Sequence, residues 1–98
     1  MSNRADKRPS ETLDLEFSID VEGTTVRQLT MRRPTVRDQL GYEEGKGSEA
    51  RRVVNMLANL CEVSPDTILQ LDNSDFARLS KILEGFNSPQ PQTSDELA

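Results

Sequence analysis

The sequence predicts an α+β fold, in which an N-terminal β-hairpin is followed by three to four short helices packed on one face of it. Two patterns support this prediction. Apolar and polar residues alternate within residues 12–33, and apolar residues then recur at helical spacing within residues 35–86. We therefore expect a single domain over residues 12–86. The polar, proline-containing segments 1–11 and 87–98 are expected to form flexible tails.

The hairpin is predicted over residues 12–33. Its first strand alternates strictly between apolar and polar residues, which indicates one face on a core and one face in water. The apolar residues are Leu13, Leu15, Phe17, Ile19 and Val21. Gly23 supplies the turn, because glycine adopts a positive φ at little cost. In the second strand Val26 is out of phase with the apolar residues that follow it, so we expect a β-bulge near residues 25–27.

Helices are predicted after the hairpin, each with a residue suited to start it. They cover residues 35–41, 49–62, 65–71 and 74–86. Thr35 is placed to cap the first helix, and Asp38 follows three residues later, as in a variant of the capping box. Val36 and Leu40 lie on one face of this short helix. Residues 41–47 contain three glycines and are expected to form a loop.

The composition argues against catalysis and metal binding. The chain has no histidine, so the usual general base and the Ser–His or Cys–His pairs are missing. Cys61 is the only cysteine, falls short of a structural zinc site and lies in an apolar helical pattern that predicts a buried, unreactive thiol. Asp72 and Asp75 lack the other residues of a calcium loop and are expected to cap the last helix. We expect no enzyme activity, no metal, no cofactor and no small-molecule substrate.

The charge balance argues against nucleic-acid binding. The chain has 12 Lys and Arg residues and 17 Asp and Glu residues, a net charge of −5, whereas binding to phosphate backbones depends on clustered basic residues. A helix-turn-helix over residues 53–83 is a less favoured alternative, since its last helix would present mixed charges. No apolar run approaches the ~20 residues of a membrane span, so no membrane partner is expected. An unpaired cysteine without a signal peptide is expected of a cytosolic protein.

Residues 31–40, Met-Arg-Arg-Pro-Thr-Val-Arg-Asp-Gln-Leu, resemble a segment of the tail assembly chaperones of contractile-tailed (myovirus-type) phages and prophages. In that family an apolar strand ends in a similar Arg-Arg-Pro-Thr segment, followed by Asp and Leu. The similarity continues in residues 60–71 and at Asp75, and it covers about residues 13–86. The motif residues are Arg33, Pro34, Thr35 and Asp38. We expect a structural role for them, in ending the strand and capping the helix.

The resemblance implies a non-enzymatic function in the cytoplasm of the host bacterium. Proteins of this family bind the tape measure protein, keep it soluble and help to recruit tail tube subunits, and they are not expected in the mature virion. The implied partners are the tape measure protein and the tail tube protein. A homo-oligomer is also expected, because a domain of this size without a disulfide or a metal is only marginally stable alone. The alternatives are a small acidic interaction or regulatory domain and a minor structural component of the tail.

The predicted partner surface is an apolar groove between the second and fourth helices, because an apolar helical client is usually bound in a groove. One wall would be Val53, Leu57 and Leu60, and the other would be Phe76, Leu79, Leu83 and Phe86. Leu83 and Phe86 lie near the end of the last helix and are expected to be the least buried. The alternative, that all seven residues form the core, remains open at this point.

Overall fold

The computed structural model describes residues 9–87. In chain order the elements are β1 (Ser10–Val21), β2 (Thr24–Arg32), α1 (Val36–Glu44), α2 (Glu49–Cys61), α3 (Pro65–Leu69) and α4 (Asn73–Asn87). A hairpin followed by helices confirms the predicted α+β fold. Ser10 and Glu11 belong to β1 and Asn87 belongs to α4, although they were assigned to tails. The remainder of both predicted tails, 1–8 and 88–98, lies outside the described residues.

The two strands pair antiparallel through a two-residue turn. Val21 pairs with Thr24, so Glu22 and Gly23 form the turn at the predicted place. Their φ angles are +51° and +84°, and two consecutive positive φ values characterise the tight hairpin turn whose twist matches that of the strands. One face of the hairpin packs against helices, with β2 on α2 and β1 on α4.

The pairing is irregular opposite residue 27, within the predicted range 25–27, but the extra residues belong to β1 and not to β2. Asp14 pairs with Gln28 and Ile19 pairs with Val26, so residues 15–18 of β1 lie opposite the single residue 27 of β2. This bulge leaves the side chain of Phe17 55% exposed. The prediction of one continuous apolar face on β1 is therefore wrong at Phe17, because alternation holds only where the pairing is regular.

The centre of the core is α2, which packs on β2 and on the other helices. Its buried residues are Val54, Met56, Leu57, Ala58, Leu60 and Cys61. Residues of the hairpin, α3 and α4 surround them, namely Leu13, Leu29, Met31, Ile68, Leu71 and Leu79. Burial raises the pKa of the Cys61 thiol to about 11. The thiol is thus kept in its protonated form, which is a poor nucleophile.

The first helix is longer than predicted and turns a different face inward. It continues through Gly41 to Glu44 and ends at Gly45, whose N–H donates to the carbonyl of Tyr42 over 3.3 Å. Tyr42 packs against the core and lies beneath a guanidinium of α2, which offsets the cost of about 1 kcal/mol for a glycine within a helix. Val36 and Leu40 are 78% and 52% exposed.

The last two helices lie close to their predicted bounds. Within α3 the helix ends at Leu69, two residues earlier than predicted. At the start of α4 the carboxylate of Asp72 accepts hydrogen bonds from the backbone N–H and the hydroxyl of Ser74, over 3.0 and 2.6 Å, so the predicted cap at Asp72 is confirmed. None of the helices between residues 9 and 87 combines the length and the apolar character needed to cross a membrane.

Candidate protein-binding surface

The junction between β2 and α1 is organised around the buried carboxylate of Asp38. The backbone N–H of Thr35 donates to Oδ2 over 2.8 Å, and the N–H of Asp38 donates to the Thr35 hydroxyl over 3.3 Å. These two bonds form the predicted capping box. The guanidinium of Arg32 donates to both carboxylate oxygens, over 2.8 and 3.1 Å, and the side-chain amide of Asn59 donates to Oδ1 over 2.8 Å.

These hydrogen bonds fix the charge of Asp38. The Arg32 guanidinium has the largest effect, and together with the bonds from Thr35 and Asn59 it holds the pKa of the Asp38 carboxyl well below its usual range. Burial acts in the opposite direction, because it disfavours the charged form. The charge-assisted bonds dominate, so Asp38 is ionised and joins β2, α1 and α2 at one point.

The next residue of the motif, Arg33, connects this junction to α4. Its guanidinium carbon lies 5.0 Å from the centroid of the Phe86 ring. The same side chain donates a hydrogen bond to the carbonyl of Phe86 over 3.1 Å. Phe86 is half-buried, and this contact covers the last turn of α4. The motif therefore holds three helices and the end of the hairpin in place.

A second buried carboxylate, Asp75, does not cap α4 as predicted. Its side chain is fully buried and accepts hydrogen bonds from the backbone N–H groups of Glu16 and Phe17, over 3.0 to 3.1 Å. Arg78 forms an ion pair with Asp75 and also donates to the carbonyl of Asp14 over 2.8 Å. The prediction failed because a bulge frees strand N–H groups from the ladder, and Asp75 provides their acceptor.

A groove lies over α2, between α1 and α4. Its volume is about 510 Å³. The residues that line it are Gln39 and Tyr42 of α1, Glu49, Ala50, Val53 and Met56 of α2, and Phe76, Ser80, Leu83, Glu84 and Asn87 of α4. Val36 and Leu40 are exposed and lie one turn apart on α1, and Val36 lies three residues from the lining residue Gln39. They form an exposed apolar pair on α1 outside the lining of the groove.

The seven residues predicted to bind a partner divide into three sets. Val53, Phe76 and Leu83 line the groove. Leu57, Leu60 and Leu79 are at most 1% exposed, so they form the core beneath the groove and are inaccessible to a partner in this structure. Phe86 is half-buried against Arg33.

Sequence reasoning missed the wall that α1 contributes. Val36 and Leu40 stand one turn apart, and this spacing was recognised, but periodicity alone does not say which face of a short helix is turned inward. In the structure Asp38 and Tyr42 take the inner face. The signal available in the sequence was the capping box, because it fixes Asp38 beside the start of the helix and so orients the remaining residues.

A polar cavity of about 440 Å³ lies on the other side of α1. Its lining includes Arg32, Asp38, Asn55 and Asn59. Arg52 also borders it; its guanidinium carbon lies 4.8 Å from the centroid of the Tyr42 ring. Tyr42 thus borders both cavities, and α1 separates a charged cavity from an apolar groove.

Comparison with known protein families identifies the chain. A family profile described as phage tail assembly chaperone proteins, E, or 41 or 14, matches residues 12–88. The chain belongs to this family. No curated protein and no solved structure shows significant similarity to it. The match spans the hairpin and all four helices, so it covers both buried carboxylates and the groove of this tail assembly chaperone.

The groove gives the chaperone a surface suited to another protein. Grooves of this kind bind the apolar face of an amphipathic helix, whose side chains enter at spacings of three and four residues. The apolar residues of the lining are Val53, Met56, Phe76 and Leu83, and its polar residues include Gln39, Ser80 and Asn87.

Proposed function

We propose that this tail assembly chaperone binds the tape measure protein of a contractile-tailed (myovirus-type) phage or prophage, keeps it soluble and helps to recruit tail tube subunits. The function is non-enzymatic, acts in the cytoplasm of the host bacterium and ends before the virion is complete. Val53, Phe76 and Leu83 contact the client. The exposed pair Val36 and Leu40 extends that surface.

The observation that supports this proposal is the accessible apolar surface of this chaperone. In a domain with a net charge of −5, the groove and the neighbouring pair on α1 remain accessible to another chain. Exposed contiguous apolar surface on a small protein indicates a binding site. A long apolar helical client is covered by many copies of a weak binder, and each copy can later be displaced by tube subunits.

Co-expression with the tape measure protein tests the function. We expect the tape measure protein to be insoluble alone, and to become soluble and co-purify when the chaperone is present. Unchanged solubility together with no co-purification would contradict the proposal. Mass spectrometry of purified particles then checks that the chaperone is absent from the virion or present only in trace amounts.

Two leucine variants test where the client binds. Leu40 and Leu69 are both 52% exposed, but Leu40 lies on α1 next to the groove and Leu69 lies on α3. We expect Leu40→Asp to reduce the soluble fraction of the tape measure protein several-fold and Leu69→Asp to leave it unchanged, with both variants as stable as the wild type. Equal effects of the two variants would exclude the α1 surface.

A further inference from the structure

We propose that the groove selects one class of helix, an amphipathic segment whose apolar face is flanked by Lys or Arg. The charges at the groove support this. Glu49 of α2 lines the groove, Glu43 of α1 lies beside the lining residue Gln39, and the lining contains no Lys or Arg. The inference rests on the proposed function for the identity of the partner as a tail protein, and it adds the chemistry by which that partner is recognised.

The carboxylate of α1 lies at the edge of the groove. Glu43 accepts a hydrogen bond over 2.9 Å from the side-chain amide of Gln39, which lines the groove. Arg52 of α2 lies beside Tyr42 and lines the polar cavity instead. Carboxylates of α1 and α2 thus lie beside the apolar residues of the groove. Such an arrangement favours a client with basic flanks and repels one with acidic flanks.

The dimensions of the groove fix the length of helix that fits. The lining residues of α4 extend from Phe76 to Asn87. At a rise of 1.5 Å per residue this stretch measures about 16 Å, which corresponds to about three helical turns. The partner segment therefore carries about four apolar residues at spacings of three and four, with Lys or Arg at the positions on either side of them.

The charge also disfavours a second copy of the chain as the occupant. The chain is acidic, with a net charge of −5, so the approach of another copy to an acidic groove brings like charges together. A client segment rich in Lys or Arg meets no such repulsion. This difference is the reason to assign the groove to a basic helix and not to self-association.

The test uses two synthetic helical peptides of equal length and identical leucine face, one flanked by lysines and one by glutamates. We expect fluorescence anisotropy to show about tenfold tighter binding of the lysine peptide at low salt, with the preference shrinking in high salt, because exposed ion pairs are weak and screened. Equal affinities of the two peptides at low salt would overturn the inference.

Matched variants separate the effect of the carboxylates at the groove on peptide binding from the effect of the net charge of the chain. Glu43→Gln combined with Glu49→Gln should remove most of the preference for the lysine peptide. Glu11→Gln combined with Glu44→Gln changes the net charge equally at exposed positions outside the lining, and should leave the preference intact. If both double variants act alike, the preference arises from net charge and the inference fails.

A bulky residue in the groove locates the binding site itself. Ala50→Trp fills the groove from an exposed position on α2 and should abolish binding of the lysine peptide. Unchanged binding would overturn the assignment, as would light scattering that shows a wild-type dimer which Ala50→Trp dissociates. Solubilisation of the tape measure protein is measured separately. A wild type that shows no preference for the lysine peptide but still solubilises the tape measure protein would reject this inference and leave the proposed function standing.

Discussion

Two buried aspartates attach the hairpin to the helices. They differ in how far along the chain their hydrogen-bond partners lie. Asp38 is bound mainly by residues close to it in the chain, Arg32 and Thr35, with one bond from Asn59. Asp75 accepts from backbone groups 58 and 59 residues away. The first organises a local junction and extends it to a neighbouring helix, whereas the second closes the domain from its last helix to its first strand.

The comparison shows that the same carboxylate group contributes differently to the stability of the fold at the two positions. Around Asp38, Arg32 and Thr35 would remain close together if one bond were lost, because the chain itself keeps them near. Around Asp75, the carboxylate is buried and is the acceptor that ties the N–H groups of the exposed β1 bulge to α4, and a buried polar group needs such partners. Loss of Asp75 should therefore be the more damaging change.

The largest effect is expected for Asp75→Ala. The substitution leaves the N–H groups of Glu16 and Phe17 and the guanidinium of Arg78 without this acceptor, and we expect the free energy of unfolding to fall by about 3 kcal/mol. Urea denaturation followed by circular dichroism measures it. Asp72→Ala, on the same helix but at an exposed cap, should cost clearly less. Similar losses for the two variants would show that the bulge does not depend on Asp75.

A smaller, pH-dependent effect is expected for Asp38→Asn. The folded pKa of Asp38 lies below its unfolded value of about 4, so the ionised group stabilises the fold above that pH, and this contribution is lost as the pH falls below it. We expect the variant to be less stable by about 2 kcal/mol at pH 7. Urea denaturation at pH 7 and below pH 4 should show the difference shrinking with acid; a difference independent of pH would contradict this account.

The smallest effect is expected for Asn59→Ala, which removes the bond from α2 to Asp38 and leaves the local bonds in place. We expect a loss of about 1 kcal/mol and faster amide exchange in α1. Asn55→Ala is the control, because Asn55 is also exposed on α2, one turn earlier, and borders the same polar cavity. If the amides of α1 exchange at the same rate in both variants, the bond from Asn59 does not hold α1 and the Asp38 junction depends on local bonds alone.

The elements of the fold were predictable because their signals are local. The alternation of β1, the turn at Gly23 and the caps at Thr35 and Asp72 each depend on residues within a few positions of one another. The strand that carries the extra residues of the bulge was not predictable locally, because their N–H groups bond to Asp75, more than fifty residues away. No pattern within β1 reveals that acceptor, and the strict alternation there even predicts a regular strand.

The candidate site was predictable to a similar degree. The pairing of α2 with α4 was inferred from two apolar stripes, and it brought Val53, Phe76 and Leu83 to the groove. The stripes do not show how deeply each side chain is buried, so the predicted partner surface includes Leu57 and Leu79 although both are fully buried. Depth depends on where neighbouring elements lie, and the position of α1 depends on the interactions of Asp38 and Tyr42.

The polar attachment of α1 has a consequence for motion. The only buried residue of this helix is Asp38, and its apolar pair faces outward, so detaching α1 uncovers little of the core. Regions with few buried apolar contacts open at a lower free energy than the rest of a domain. One wall of the groove, α4, is therefore fixed, and the other wall, α1, can move away from the core. For the client proposed above, such a wall would adjust to side chains of different sizes, and its opening would provide a route by which a bound helix leaves without unfolding the chaperone.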